Sequence, residues 1–164
     1  MLKLVINLDR SPDRWAHAKA QLDRVGVDAL RVSGVDGKLL DKDSIDAYNE
    51  TSSYPKKILC PRPLRAGEIG CFLSHRLCWQ RLLDSDENWA LILEDDIVLS
   101  DRAPIYMNSD DWIPEGIHLI QLFIFHDTWT AYCKRKSISL KTGDELLIPV
   151  RPAPTGTPAY MISR

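Results

Sequence analysis

The sequence predicts a single α/β domain over residues 1–164: a mostly parallel central sheet flanked by helices, with short β segments toward the C-terminus. Three observations carry this. Leu2 to Val32 alternates strand, helix and strand, the pattern of a βαβ unit. Ala90-Leu91-Ile92-Leu93 is a short apolar run that ends abruptly in Glu94-Asp95-Asp96, as a buried strand does where it emerges from a sheet. Beyond Asp127 the texture changes to brief apolar stretches separated by turn residues.

In order, Leu2 to Leu8 is β-rich and opens the domain as a strand, and Asn7-Leu8-Asp9-Arg10 leaves it as a loop. Ser11-Pro12-Asp13-Arg14 is a helix start, with Ser as N-cap, Pro at the first helical position and an acid in the first turn. Trp15, Ala18, Leu22 and Val25 recur at helical spacing, giving a buried face, and Gly26 stops the helix. Ala29 to Val32 is the second strand, ending in Ser33-Gly34-Val35-Asp36-Gly37. Residues 38–64 lack periodicity and read as an irregular surface excursion, marked by Tyr54-Pro55-Lys56-Lys57 and Cys60-Pro61-Arg62-Pro63. A helix restarts at Ala66 with Ile69, Phe72, Leu73, Leu77 and Leu83 on its inward face, and ends near Asp84. Trp89 to Leu93 is the third strand, and Ser100 to Glu115 is loop with a short helix. Ile117 to Phe125 is nearly all apolar, which predicts a strand at the centre of the sheet. Ser137 to Leu140, Glu145 to Val150 and Ala159 to Ser163 are short strands, with turns at Thr142-Gly143-Asp144 and Pro154-Thr155-Gly156.

Composition narrows the function classes. A content of 45% hydrophobic and 27% charged residues is that of an ordinary globular chain. The net charge of −2 argues against nucleic acid as a partner and against broad binding to anionic membranes. No apolar run approaches the roughly 20 residues of a membrane span, and the N-terminal run turns polar too soon for a signal peptide. The expectation is a cytoplasmic protein, with peripheral contact at the inner membrane left open. The cysteines Cys60, Cys71, Cys78 and Cys133 include no CxxC pair. Cys71, His75 and Cys78 share a helical face, so a zinc site with Cys60 as fourth ligand is one reading; reduced thiols packed on a core-facing helix is the plainer one.

Three motifs carry the chemistry. Three acids cannot enter a core unpaired, so Glu94-Asp95-Asp96 belongs at the mouth of a cleft at the sheet edge. Carboxylates there suit a hard divalent cation, Mn²⁺ or Mg²⁺, which in turn suits a diphosphate. The alternative is a solvated acidic turn. Asn7-Leu8-Asp9-Arg10 with Arg14 joins a strand end to a helix N-terminus, a natural seat for nucleotide phosphates, with Arg10 and Arg14 as charged donors. It has neither the P-loop nor the GxGxxG pattern, and a capped helix with solvated arginines is its plainer reading. In Gly67-Glu68-Ile69-Gly70-Cys71-Phe72-Leu73-Ser74-His75, two glycines in a first helical turn point to close approach of a backbone or a ligand. Ser74 and His75 are placed to bond substrate or to brace the acidic turn, although a lone histidine is more often structural.

Together Val5-Ile6-Asn7-Leu8-Asp9-Arg10-Ser11 with Arg14, Gly67 to His75, and Ala90 to Asp96 resemble glycosyltransferase family 25, with a fainter match at Gly156-Thr157 and Ala159 to Ser163. The resemblance implies a GT-A-type, Rossmann-like domain that moves a sugar, often galactose, from a UDP-sugar to a saccharide or glycolipid acceptor of lipooligosaccharide, by an inverting, metal-assisted displacement. It implies Asp96 as direct metal contact and Glu94, with Asp95, at the metal or ribose. It places Asn7, Leu8, Arg14 and Asp36 at the nucleotide, beside Ser74 and His75. Asp127, after the fourth strand, is the candidate base. Members of that family continue past the Gly-Thr-x-Ala-Tyr segment, so a chain lacking the C-terminal part is expected, with two consequences: a domain that binds nucleotide-sugar without turnover is the alternative, and a homodimer through the open side is expected.

Overall fold

The computed structural model describes residues 1–51, 62–123, 132–149 and 156–164. The elements run β1 (Leu2–Asn7), α1 (Pro12–Val25), β2 (Leu30–Ser33), a 3-10 turn at Gly37–Leu39, α2 (Lys42–Thr51), α3 (Ala66–Leu83), β3 (Trp89–Glu94), α4 (Ala103–Met107), β4 (Leu119–Gln121), β5 (Tyr132–Ser139), β6 (Glu145–Pro149) and β7 (Ala159–Ser163). The main sheet has the order β2-β1-β3-β7-β4, and β5 and β6 form a separate antiparallel pair. Strand β1 pairs in parallel with both β2 and β3. Strand β7 pairs antiparallel with β3 and β4, so within this sheet it runs against the other strands. This is the mixed α/β domain with a mostly parallel sheet that the sequence predicts.

Alternation along the strands builds two core layers. Val5, Leu91, Leu93, Ala159 and Met161 face one side, where Ala18 and Leu22 of α1 and Ala103 and Met107 of α4 close over them. Leu4, Ile6, Ala90, Ile92 and Tyr160 face the other, under Cys78 and Leu82 of α3. Because both faces are covered, β3 is apolar at every interior position rather than at alternate ones. Helix α1 ends as predicted, with Gly26 left-handed at φ 68° and its N–H bonded back into the last turn. The hydroxyl of Ser11 makes no capping hydrogen bond, so Pro12 and Asp13 carry the start of that helix.

Three sequence expectations are corrected. Residues 42–51 form a helix, not an irregular excursion. The side chain of Asp41 accepts from Ser44 N at 2.7 Å, and Asn49 ties the helix to Leu64 through bonds of 2.7 and 3.2 Å. The helix is held by polar contacts, with Ile45 and Tyr48 its main apolar residues on the half-buried side, so it leaves little hydrophobic period to read. Strand β4 is an edge strand and the centre belongs to β3, because β7 inserts between them. Helix α3 buries Ile69, Gly70, Ser74, His75, Cys78 and Leu82, while Phe72, Leu77 and Leu83 are exposed. The inward face mixes apolar Ile69, Cys78 and Leu82 with polar Ser74 and His75, rather than collecting the most apolar residues.

The two first-turn glycines of α3 have different surroundings. A Cβ on Gly70 would lie 2.6 Å from Val35 O and 2.7 Å from Gly37 N, so α3 crosses the loop after β2 backbone to backbone. A Cβ on Gly67 would meet nothing within 4 Å. Among the described residues no helix is long and apolar enough to cross a membrane.

Candidate functional site

The parallel strands β2, β1 and β3 deliver their C-terminal ends to one edge of the sheet, where the chain must leave the ladder and its polar groups become available. Asn7 ends β1, Glu94 ends β3, and Asp36 follows β2. A cavity of about 330 Å³ opens there, lined by Asn7, Leu8, Arg14, Asp36, Ser74, His75, Glu94 and Asp95, together with Arg10, Lys38, Gly67 and Cys71. The eight nucleotide-site candidates from the sequence thus surround one space. Asp96 does not line it. It lines a second cavity of about 740 Å³, between the chain after β3, helix α4, Asp144 and Gly156–Ala159. Glu94 lines both, as the wall between them.

Hydrogen bonding divides the candidates. Asn7 is buried and donates to Ser11 O at 2.9 Å and to Asp95 Oδ2 at 2.6 Å, while its own oxygen accepts from Arg31 Nε at 2.8 Å. Asp95 is only 5% exposed and is also engaged by Arg14. The same guanidinium reaches Asp96 Oδ2 at 3.0 Å, so Arg14 ties the start of α1 to the acidic turn. Asp36 pairs with Arg10 and accepts from Lys38 N at 3.0 Å. That backbone bond and the Arg10 contact hold its carboxyl below the ordinary value. Ser74 Oγ donates to Gly70 O at 2.7 Å and accepts from Val35 N at 2.8 Å, which fastens α3 to the loop after β2.

His75 and Glu94 form a second cluster. His75 Nε2 lies 3.5 Å from Glu94 Oε1, and Thr157 Oγ1 lies 3.1 Å from each of them. His75 Nδ1 lies 2.9 Å from Tyr160 Oη, which also accepts from Trp79 Nε1 at 2.8 Å. Burial opposes a charge on His75, but hydrogen bonds to Cys71 and Glu94 outweigh it, and the imidazole is pushed up to about 9. The bond from His75 holds Glu94 below its ordinary value despite its partial burial. His75 therefore braces the acidic turn.

The metal expectations sort in the same way. Glu94 and Asp96 both line the larger cavity and the Asp96 side chain is 61% exposed, so both offer carboxylate oxygens of the kind a hard cation takes, although Arg14 engages Asp96. The zinc grouping of Cys71 and His75 with Cys78 is corrected. Cys78 is fully buried in the core beside Leu82, and burial pushes its thiol up to about 12. Glu94 is the third group that joins Cys71 and His75. Cys60 and the proposed base Asp127 lie outside the described residues. Sequence reasoning missed Thr157 and Tyr160 as partners of His75, although both lie in the fainter resembling segment, Gly156 to Ser163. It also left Cys71 out of the nucleotide site, although it precedes His75 by one helical turn.

Several known proteins are similar to this chain in sequence. Lipooligosaccharide biosynthesis protein lic2B of Haemophilus influenzae is 31% identical over 129 residues, covering 74% of this chain and 48% of that protein. Procollagen galactosyltransferase 2 of Mus musculus is 36% identical over 94 residues, covering 57% of this chain and 15% of that protein. A glycosyltransferase 25 family member of Aedes aegypti is 34% identical over 99 residues, again 57% of this chain and 16% of its own length. The chain thus spans half or less of these relatives. The family model for glycosyltransferase family 25 (LPS biosynthesis protein) matches residues 1–164, and the chain belongs to that family.

Proposed function

We propose that this chain binds a UDP-sugar in the smaller cavity and transfers the sugar, galactose by analogy with the procollagen enzyme's name, to a saccharide or glycolipid acceptor in the larger one. The observation that carries this reading is the pair of cavities sharing Glu94 as a wall at the C-terminal edge of the parallel strands. A nucleoside fits between the loops after β1 and β2, where Asp36 offers a carboxylate to sugar hydroxyls and Arg10 and Lys38 offer positive charge. Glu94 and Asp96 would hold Mn²⁺ or Mg²⁺. A divalent ion there would neutralise the charge that develops on a departing diphosphate. An inverting displacement also needs a carboxylate to take the acceptor's hydroxyl proton. Asp127 is proposed for that role from its position in the sequence alone.

The test is thermal denaturation with and without UDP and Mn²⁺. A rise in melting temperature that Asp96→Ala removes supports the reading, and no shift with any nucleoside diphosphate rejects it. One observation favours a second reading, nucleotide-sugar binding without transfer. Each carboxylate that lines the two cavities already has a partner: Asp36 with Arg10, Glu94 with His75, Asp95 and Asp96 with Arg14, Asp144 with Arg102. Release of free sugar or transfer to any saccharide acceptor by the purified chain excludes that second reading.

A further inference from the structure

We propose that Cys71, His75 and Glu94 form a zinc site, which shares only Glu94 with the cation position at Asp96 and leaves one coordination position open to the smaller cavity. One ligand atom from each of the three lies within 4.8 Å of the other two. The 3.5 Å from His75 Nε2 to Glu94 Oε1 matches the edge of a zinc tetrahedron, about 3.3–3.6 Å for bonds of ordinary length. Cys71 and His75 sit one turn apart on α3, which puts both side chains on one face of the helix, and Cys71 is a free, exposed thiol.

The donor set selects the ion. Thiolate, imidazole and carboxylate together suit Zn²⁺, whereas Mg²⁺ and Mn²⁺ prefer oxygen alone. The ring of His75 is already oriented for the task. Its Nδ1 is held by Tyr160 Oη, itself fixed by Trp79, which turns Nε2 toward Glu94. An anchored second nitrogen is the usual companion of a metal-binding histidine. All three ligands line the cavity, so the fourth position faces open space, the arrangement of zinc sites that take water or a substrate oxygen. The exposed Thr157 hydroxyl, between Nε2 and Oε1, is the group the ion displaces.

The proposal does not rest on the transferase reading, because zinc is measured without nucleotide. The experiment titrates the purified chain with Zn²⁺ against a chromogenic chelator, and with Co²⁺ followed by absorbance. One tight ion per chain is expected, with a thiolate-to-cobalt charge-transfer band in the near ultraviolet. Cys71→Ser, an exposed change, should abolish the band and weaken zinc binding by more than the roughly 10–100-fold expected of Tyr160→Phe, which removes only the ring's anchor. Asp96→Asn should leave zinc affinity unchanged. Circular dichroism of each variant shows that it is folded. Absence of stoichiometric zinc, a cobalt spectrum without the band, or tight binding retained by folded Cys71→Ser overturns the site. Zinc binding with no response to UDP and Mn²⁺ overturns only the transferase reading.

Discussion

Replacing Asn7 with Ala separates a structural brace from a nucleotide contact. Asn7 makes three hydrogen bonds, two of them to charged side chains, Asp95 and Arg31. A bond to a charged group is worth about 1.5–3 kcal/mol and a neutral one about 1 kcal/mol. Asp95 stays buried after the change and keeps only Arg14, so its bond belongs at the upper end of that range; Arg31 is half-exposed, so its bond belongs at the lower end. The expected cost is about 5–6 kcal/mol, or roughly 10–24 °C in melting temperature for a domain of this size. Thermal and urea denaturation of the ligand-free chain measure it. Asn7→Asp supplies a sign check, since it sets a second carboxylate against Asp95 and its instability should ease as the pH falls. A ligand-free Asn7→Ala chain that melts within about 2 °C of the parent, losing only its response to UDP, would refute the brace and make Asn7 a ligand contact.

Three further outcomes are expected. Gly70→Ala should cost about 3 kcal/mol or more although Ala favours helix, because the added carbon meets backbone at 2.6 and 2.7 Å, whereas Gly67→Ala should be neutral or gain up to about 1 kcal/mol; equal melting temperatures for the two variants would reject the close crossing. The folded-state value of His75 lies above the ordinary 6.5, so the stability its charge contributes is complete below about 6.5 and disappears as the pH rises through about 9; the imidazole resonances should report that titration, and a midpoint near 6.5 would contradict the pairing with Glu94. Asp96→Ala should cost less than about 1 kcal/mol by denaturation, since both Asp96 and its partner Arg14 are well exposed, and a larger loss would give Asp96 a structural role.

Helix α1 was legible from its 3.6-residue period and its Gly26 stop, and β3 from a short continuous apolar run that ends in three acids. Helix α2 was not, because its anchors are Asp41 and Asn49, which read as loop residues until their partners are known. The inward face of α3 was misassigned because hydrophobicity marks Phe72 and Leu77, whereas contact with the loop after β2 and with Tyr160 draws in Ser74 and His75. That the candidates gather at one edge of the sheet was legible from the residues at the strand ends. Their partnerships were not: the reach of Arg14 to Asp95 and of Thr157 to Glu94 depends on how distant segments meet, and no local spacing encodes it.

The place of β7 has a consequence for how the chain is made. Its partner β3 has Leu91 opposite Met161, a separation of 70 residues (161 − 91). At roughly 5–20 residues per second, the ribosome leaves that edge of β3 unpaired for about 4–14 s after it emerges. The exposed ladder is Ala90-Leu91-Ile92-Leu93, with no charge or proline to discourage pairing with a neighbouring nascent chain. Newly made chains should therefore be at their most aggregation-prone during this interval, and a holdase that shields the β3 edge until residues 159–163 arrive should raise the soluble yield.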